Sequence, residues 1–414
     1  MRILYDIAIR MYWVAILLAS PWNRKARLWL KGRKCWHKKL RQAFHKVDRV
    51  IWFHCASLGE FEQGRPIMEE ARARFPACRI LLTFFSPSGY EKRKDYQGAD
   101  LVMYLPLDTG RNANRMAGSL TLEMAIFIKY EFWFHYLHRL KKQAVPLYLA
   151  SGNFRPDQLF FKWYGRWYRK FLDCFTHIFV QQESSKRLLE DAGLRSVSVA
   201  GDTRFDRVSR VVETTFTQPA LEAFANGSKV IIAGSIWEQD EPLLAYAFRE
   251  LPEEFRWIIA PHELTEGHIS RIQRSFPPSV RYTEIGDRVP EGTRAVVIDT
   301  IGQLSYLYRY GTLAYIGGGF GKGIHNILEA AAYGLPVIFG PRYKKFVEAV
   351  DLVRLGAAFP VYHKEALLST IRQQMENPEL LKTSSREARK YVSENVGATS
   401  IIMDEVCKQI TTFS

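Results

Sequence analysis

The chain has 414 residues, 47% hydrophobic and 24% charged, with a formal net charge of +15. That length suggests two or three domains with real cores, and the composition excludes a disordered chain, a collagen-like chain and a polytopic membrane protein. The positive excess favours anionic partners such as nucleic acid, acidic lipid or phosphorylated ligands. Five scattered cysteines without a C-x-x-C pair exclude a disulfide framework and a zinc ribbon, and suit a reducing compartment.

Residues 11–19 form an apolar run, extended back to Ile3 with interruptions at Asp6 and Arg10. A bilayer span needs about 20 apolar residues. Basic residues follow this run: positions 24–49 carry eleven Lys/Arg against one acid, Asp48, which is +10 of the +15. A cleavable signal peptide has the opposite order. The expectation is a helix that dips into or lies on a membrane, then a polybasic segment held by anionic headgroups at roughly 1 kcal/mol per residue. The positive-inside tendency places this side in the cytoplasm. The alternative is a core helix followed by a solvated basic loop.

From residue 50, short apolar runs alternate with helical patterns. The first series is 50–54, 80–84, 101–105, 125–128, 146–150, 178–180 and 197–200; the second is 229–233, 257–260, 295–298, 313–316 and 336–339. Continuous apolar strands separated by helices predict parallel sheets covered on both faces. The fold class is therefore α/β, with two doubly wound Rossmann-like domains facing across a cleft. The expected organisation is 1–49 membrane-associated helix and polybasic segment, 50–210 first domain, and 211–414 second domain, with the last helix packing back on the first as an option. One tract, 160–175, interleaves Phe160, Phe161, Trp163, Tyr164, Trp167, Tyr168 and Phe171 with Lys162, Arg166, Arg169 and Lys170. It suits a lipid–water boundary, single-stranded nucleic acid, or an amphipathic helix with its aromatic face in the core.

Several loops after strands can carry chemistry. HCASLGE (54–60) places Glu60 at a strand end beside a helix N-terminus, where it can act as a general base and where the helix dipole favours its ionised form; a capping acid is the plain alternative. GDTRFD (201–206) offers Arg204 to a carboxylate or phosphate, or to an ion pair with Asp202 or Asp206. In IDTIGQL (298–304) the amides of Ile301, Gly302 and Gln303 at a helix start form an anion site. The richest segment, IGGGFGKGIHNILE (316–329), has five glycines within seven residues, which let backbone approach a ligand, and Asn326 with Glu329 fits an N-cap and its reciprocal acid. Its spacing is not that of the dinucleotide fingerprint, and no Walker pattern occurs. His262 in Pro261-His262-Glu263 sits at a strand end. No cluster has metal-ligand spacing, so metal-independent chemistry without a cofactor is expected.

HCASLGE, GDTRFD, DTIGQL (299–304) and GGGF…GIHNILEAAAYGLPVIFGP (317–341) together resemble the Kdo transferases, which attach 3-deoxy-D-manno-oct-2-ulosonic acid to lipid A precursors in lipopolysaccharide synthesis. The resemblance covers nearly the whole chain in order. It implies a GT-B glycosyltransferase fold, CMP-Kdo as donor, a lipid A precursor (lipid IVA) as acceptor, inversion at the anomeric centre without a metal, and a place on the cytoplasmic face of the bacterial inner membrane. It further implies that Glu60 is the general base, that Arg204 stabilises the transition state, and that CMP is held by Pro261 and His262, by Ile301, Gly302 and Gln303, and by Asn326, Ile327, Leu328 and Glu329. Two positions depart from the family pattern. Lys129 stands where many members have an acid; it either binds the Kdo carboxylate or lowers the pKa of Glu60, or else Glu131 carries that acid's role. Pro261-His262-Glu263 stands where Pro-Arg-His is usual, and a neutral imidazole is a weaker phosphate partner than arginine. The competing readings are another GT-B sugar-nucleotide enzyme (a UDP-sugar transferase or epimerase) and a basic membrane- or nucleic-acid-binding protein. On the Kdo transferase reading no nucleic-acid partner is expected.

Overall fold

In the computed structural model, which describes residues 1–413 with the side chains of 410–413 excepted, the apolar runs become fourteen strands in two sheets. The first sheet holds β1 (Arg49–Cys55), β2 (Arg79–Phe84), β3 (Leu101–Tyr104), β4 (Thr121–Ile128), β5 (Leu147–Gly152), β6 (His177–Val180) and β7 (Val197–Val199). The second holds β8 (Lys229–Ile236), β9 (Phe255–Pro261), β10 (Ser279–Arg281), β11 (Ala295–Val297), β12 (Leu313–Ile316), β13 (Val337–Phe339) and β14 (Ala358–Pro360). Their orders are β3-β2-β1-β4-β5-β6-β7 and β10-β11-β9-β8-β12-β13-β14. Every pairing is parallel. β10 and β14, two three-residue strands, were not among the expected runs.

Strands this apolar require cover on both faces. In β1, Val50 and Trp52 enter one buried core while Ile51, Phe53 and Cys55 enter the other, the period-two alternation of a strand. The order reverses between β1 and β4 in the first sheet and between β8 and β12 in the second, where β11 is also inserted between β9 and the edge strand β10. The crevice outside the carboxyl ends of the strands at such a reversal is where open α/β sheets bind ligands. The loops leaving β1, β4, β8 and β12 are therefore the ones to inspect.

The chain forms two compact units, divided between Asp206 and Arg207, with the residues from Gly397 onward rejoining the first. The return is built from packing and a cap. Ile402, Met403 and Val406 of the helix Ala398–Phe413 are fully buried in the core shared with the helix Leu58–Arg74. Burial of that kind stabilises by roughly 1.5–3 kcal/mol per side chain. The Asp206 carboxylate accepts hydrogen bonds from Gly397 N (2.5 Å), Thr399 N (2.6 Å) and Thr399 Oγ1 (2.5 Å) at the start of that helix.

Residues 1–49 also pack within the first unit. The helix Arg2–Ala19 turns Tyr5 and Asp6 inward: Tyr5 donates to Asp108 (2.6 Å) and Asp6 meets His135 Nε2 (2.5 Å). Its opposite stripe, Ile3, Ile7, Met11, Val14 and Leu18, is exposed, Ile3 by 74% and Leu18 by 66%. None of the described helices is long and apolar enough to cross a membrane. The 160–175 tract is divided between uses. Phe160 and Phe171 are buried and Trp167 packs on Phe134 and Tyr5, whereas Trp163 is 87% exposed.

Candidate active site

β1 ends at Cys55, Ala56 and Ser57 turn the chain, and the helix Leu58–Arg74 begins. Gly59 lies in its first turn, where an added Cβ would meet nothing within 4 Å, so close packing does not demand this glycine. The Glu60 carboxylate folds back onto the backbone N–H groups of Ala56 and Ser57. It is thus the capping acid of the plain alternative, and half-buried as well. Those amides do not dominate its charge state, contrary to the expectation that the helix N-terminus keeps it ionised. Burial, and then the nearby Glu131 carboxylate, outweigh the Ala56 amide, Lys129 and the Ser57 amide, raising the pKa to about 7.

The loop leaving β4 supplies the neighbours. Lys129 adopts a left-handed backbone at φ +62°, anchored by its N–H to Ala150 O (2.9 Å). A non-glycine residue in this region costs on the order of 1–3 kcal/mol and marks sites where the surroundings fix the conformation. Glu131 is buried, and its Oε2 lies 2.8 Å from His54 Nε2 and 2.7 Å from Trp133 Nε1. The other His54 nitrogen contacts Thr83 Oγ1 (2.9 Å), which also accepts from Trp52 Nε1 (2.8 Å). Glu131 is therefore held in a buried network, and its charge reaches Glu60 through space. Lys129 acts in the opposite sense and favours the ionised form of Glu60, though more weakly than burial and Glu131 together.

Arg204 lies in the first turn of the helix Thr203–Glu213, and its Nε and Nη2 grip Asp202 Oδ2 at 2.9 and 2.7 Å. Asp206 instead anchors the returning helix, so the two aspartates flanking Arg204 have separate tasks.

In the second unit the glycine segment follows β12 but works differently from expectation. A Cβ on Gly317 would lie 2.4 Å from Ser235 O, and one on Gly319 would lie 2.5 Å from Gly340 N. These glycines allow loop to pack on loop, not backbone on ligand. Gly321 is the open one, its nearest neighbour being 3.6 Å away. Buried Asp240 ties the two switch-point loops together, accepting from Trp237 N (2.8 Å), Gly318 N (3.0 Å) and Tyr315 Oη (2.8 Å).

The loops leaving β8, β9 and β12 bring three rings into one stack. His262 lies 4.3 Å from Trp237 and 4.4 Å from His325, centroid to centroid, with the planes within about 25° of parallel. Trp237 Nε1 donates to His325 Nε2 (2.7 Å). Burial and the neighbouring His262 push the His325 pKa down to about 4, so its imidazole is neutral at physiological pH. Pro261 ends β9 and is buried, and His262 is exposed beside it.

Residues 301–303 form a loop, not the first turn of a helix; the helix that follows, Leu304–Leu307, has four residues. Ile301 is exposed, Gly302 has φ +91°, and Thr300 Oγ1 bonds Gln303 Oε1 (3.0 Å). Asp299 caps nothing there and accepts from Thr283 instead. The helix Leu328–Ala332 has five residues and Ile327 as its N-cap. Asn326 bonds Leu328 N (3.2 Å) and Glu329 Oε1 (3.1 Å), a local lock in place of the expected capping box.

Trp237 and the pairing of His54 with Glu131 escaped the sequence reading. Trp237 carries no motif of its own in the sequence, and the histidine in HCASLGE was the advance signal for the pair. Among the described residues, no group of three or more His, Cys, Asp or Glu side chains is placed to hold a metal ion.

Residues 30–207 match the family model described as 3-deoxy-D-manno-octulosonic-acid transferase (kdotransferase). A bifunctional glycosyltransferase/methyltransferase of Fusobacterium nucleatum subsp. nucleatum is 23% identical over 400 residues, 92% of this chain and 60% of that protein, so the chain spans less than two thirds of that relative. A 3-deoxy-D-manno-octulosonic acid transferase of Bordetella pertussis is 24% identical over 371 residues, 86% of each chain. Among solved structures, UDP-GlcNAc 2-epimerase from Neisseria meningitidis bound to UDP-GlcNAc aligns with a TM-score of 0.61 at 16% identity, over 87% of this chain and 100% of that one. CalG4, the calicheamicin glycosyltransferase, aligns with a TM-score of 0.56 at 11% identity, over 87% and 98%. These structural likenesses show the fold alone, two parallel-sheet α/β domains of the GT-B glycosyltransferase kind. By sequence over most of its length, the chain is a relative of the Kdo transferases.

Proposed function

We propose that this protein transfers Kdo from CMP-Kdo to a lipid A precursor in lipopolysaccharide synthesis, as a metal-independent inverting glycosyltransferase on the cytoplasmic face of the inner membrane. One observation carries the proposal: in a relative of the Kdo transferases, a carboxylate with a pKa of about 7 stands at the switch point of the first sheet. In the reaction, an acceptor hydroxyl oxygen forms a bond to the anomeric carbon of Kdo while the bond from that carbon to the CMP phosphate oxygen breaks. Glu60 takes the hydroxyl proton, and CMP leaves with the electron pair. A base with a pKa near the working pH suits this step, being substantially ionised yet basic enough to accept the proton.

The first unit takes the acceptor and the second takes the donor nucleotide. The His262 face of the ring stack supports a planar ligand such as a pyrimidine. The loop amides of Ile301, Gly302 and Gln303, with Asn326, Ile327, Leu328 and Glu329, line the remainder of the CMP site. Arg204 supplies positive charge to the developing anion, and Lys129 serves the Kdo carboxylate. The outward apolar stripe of the helix Arg2–Ala19 and the basic residues after it hold the chain on anionic lipid. The test is a product-mass assay with CMP-Kdo and a defined lipid A precursor, read together with CMP release. A heavier lipid and stoichiometric CMP are expected. An unchanged lipid, or full activity in Glu60→Ala, overturns the assignment.

A further inference from the structure

The first unit holds a cavity of about 640 Å³ lined by the helices Arg2–Ala19 and Arg24–Gly32 and by residues 106–112. Its apolar wall includes Trp13, Leu17, Trp29, Leu30 and Leu107, and its polar edge carries Arg27, Lys31, Arg33 and Lys34. None of the described lining residues is acidic. The volume lies in the ordinary range for a small-molecule site. Trp13 and Leu17 are also partly exposed on the outside of their helix, so the cavity is continuous with an outward apolar surface.

Two details separate this cavity from a loose gap between helices. Trp29 is only 4% exposed, and its indole N–H is buried with no acceptor among the described residues. The Arg33 guanidinium lies 3.6 Å from the centre of the Trp29 ring and donates to the carbonyl oxygens of Trp29 (3.1 Å), Phe85 (2.8 Å) and Leu105 (2.7 Å). No carboxylate neutralises it among the described residues. Burial lowers its pKa to about 9, which leaves it charged at neutral pH. Lys31 and Lys34 likewise have no ion-pair partner among the described residues. An apolar chamber with uncompensated positive charge at its edge complements one chemistry, an anionic amphiphile.

We propose that the cavity holds one acyl chain of an anionic membrane phospholipid, with the phosphate on Lys31, Lys34 and Arg27. The proposal deepens the membrane association proposed above and does not rest on sugar transfer. The experiment is calorimetric titration of the full chain with dioctanoyl phosphatidylglycerol, dioctanoyl phosphatidylcholine and a lipid A precursor. We expect saturable binding of one phosphatidylglycerol per chain, at least about tenfold tighter than phosphatidylcholine. Leu107→Trp, which fills the chamber from the loop, should weaken it at least tenfold while leaving the melting temperature intact. If Leu107→Trp does not fold, the Lys31→Glu/Lys34→Glu pair replaces it and should abolish the preference for the anionic lipid. Absence of saturable binding, equal affinity for the two phospholipids, wild-type binding by the variants, or competitive displacement by the lipid A precursor would each overturn the proposal.

Discussion

Glu60→Gln separates the cost of holding the carboxylate from its use. A carboxylate raised from 4.5 to about 7 by folding binds more protons in the folded state than in the unfolded state between those values. Stability therefore falls as pH rises through that window, and the ionised form destabilises the fold above it. Glutamine fills the same space, offers an oxygen to the Ala56 and Ser57 amides, and does not titrate. Relative to wild type, the variant should gain stability as the pH rises. Between about pH 5.5 and about pH 8.5 the linkage relation gives a relative gain of roughly 2 kcal/mol. For a unit of this size that is on the order of 4–8 °C in melting temperature. The assay is thermal unfolding of both proteins across that pH range, followed through the first unit's transition, alongside the transferase assay. The expected result is a dead enzyme whose stability advantage grows with pH. A pH-independent difference between the two proteins would show that Glu60 is not held against its ionisation, and the account of its environment fails.

The neighbours of Glu60 should move its titration in opposite directions. Glu131→Gln removes a like charge and should shift the acid limb of kcat/KM to lower pH, whereas Lys129→Met removes an opposite charge and should shift it upward, each by up to about one unit; shifts of the same sign would refute the electrostatic assignment. Gly319→Ala places a Cβ 2.5 Å from Gly340 N and should cost on the order of 1–3 kcal/mol in chemical denaturation. Gly321→Ala meets its nearest neighbour at 3.6 Å and should stay within about 0.5 kcal/mol. Asp206→Ala removes all three bonds at the start of the returning helix and should cost about 2 kcal/mol, with faster amide exchange in Ala398–Phe413 as the local readout.

The strands were legible because parallel strands covered on both faces are written as uninterrupted apolar runs, and Val50–Phe53 or Val230–Ala233 have little alternative. β10 and β14 were not, because Ser279–Arg281 and Ala358–Pro360 are short edge strands without such a run. Glu60 could be located because its strand, turn and helix are contiguous in sequence. Trp237, His262 and His325 could not be joined in advance: three separate strands must deliver them, and only the sheet order makes them neighbours. The glycine segment misled for another reason. Composition shows that backbone must come close to something, but not whether that something is a ligand or, as at Gly319, another glycine. The charge state of Glu60 was also misjudged, since a helix N-terminus is visible in sequence and burial beside Glu131 is not.

The same sheet reversal occurs twice in this chain, and the side chains around the two reversals differ in kind. At the first, Glu60 titrates near neutrality because burial and Glu131 oppose its charge while Lys129 limits the rise. That balance makes a group able to accept a proton. At the second, the Asp240 carboxylate is enclosed by three donors although burial still raises its pKa, and His325 is kept neutral by burial and the neighbouring His262. What remains there is an exposed imidazole on a ring stack and loop backbone, a surface able to hold a planar base and its phosphate. Sugar transfer by direct displacement needs both kinds of site, a base for the incoming hydroxyl and a non-basic cradle for the departing nucleotide. On the proposed reading the second reversal suits the donor's anionic phosphate, because the buried Asp240 is enclosed by donors and pushed by burial toward its neutral form.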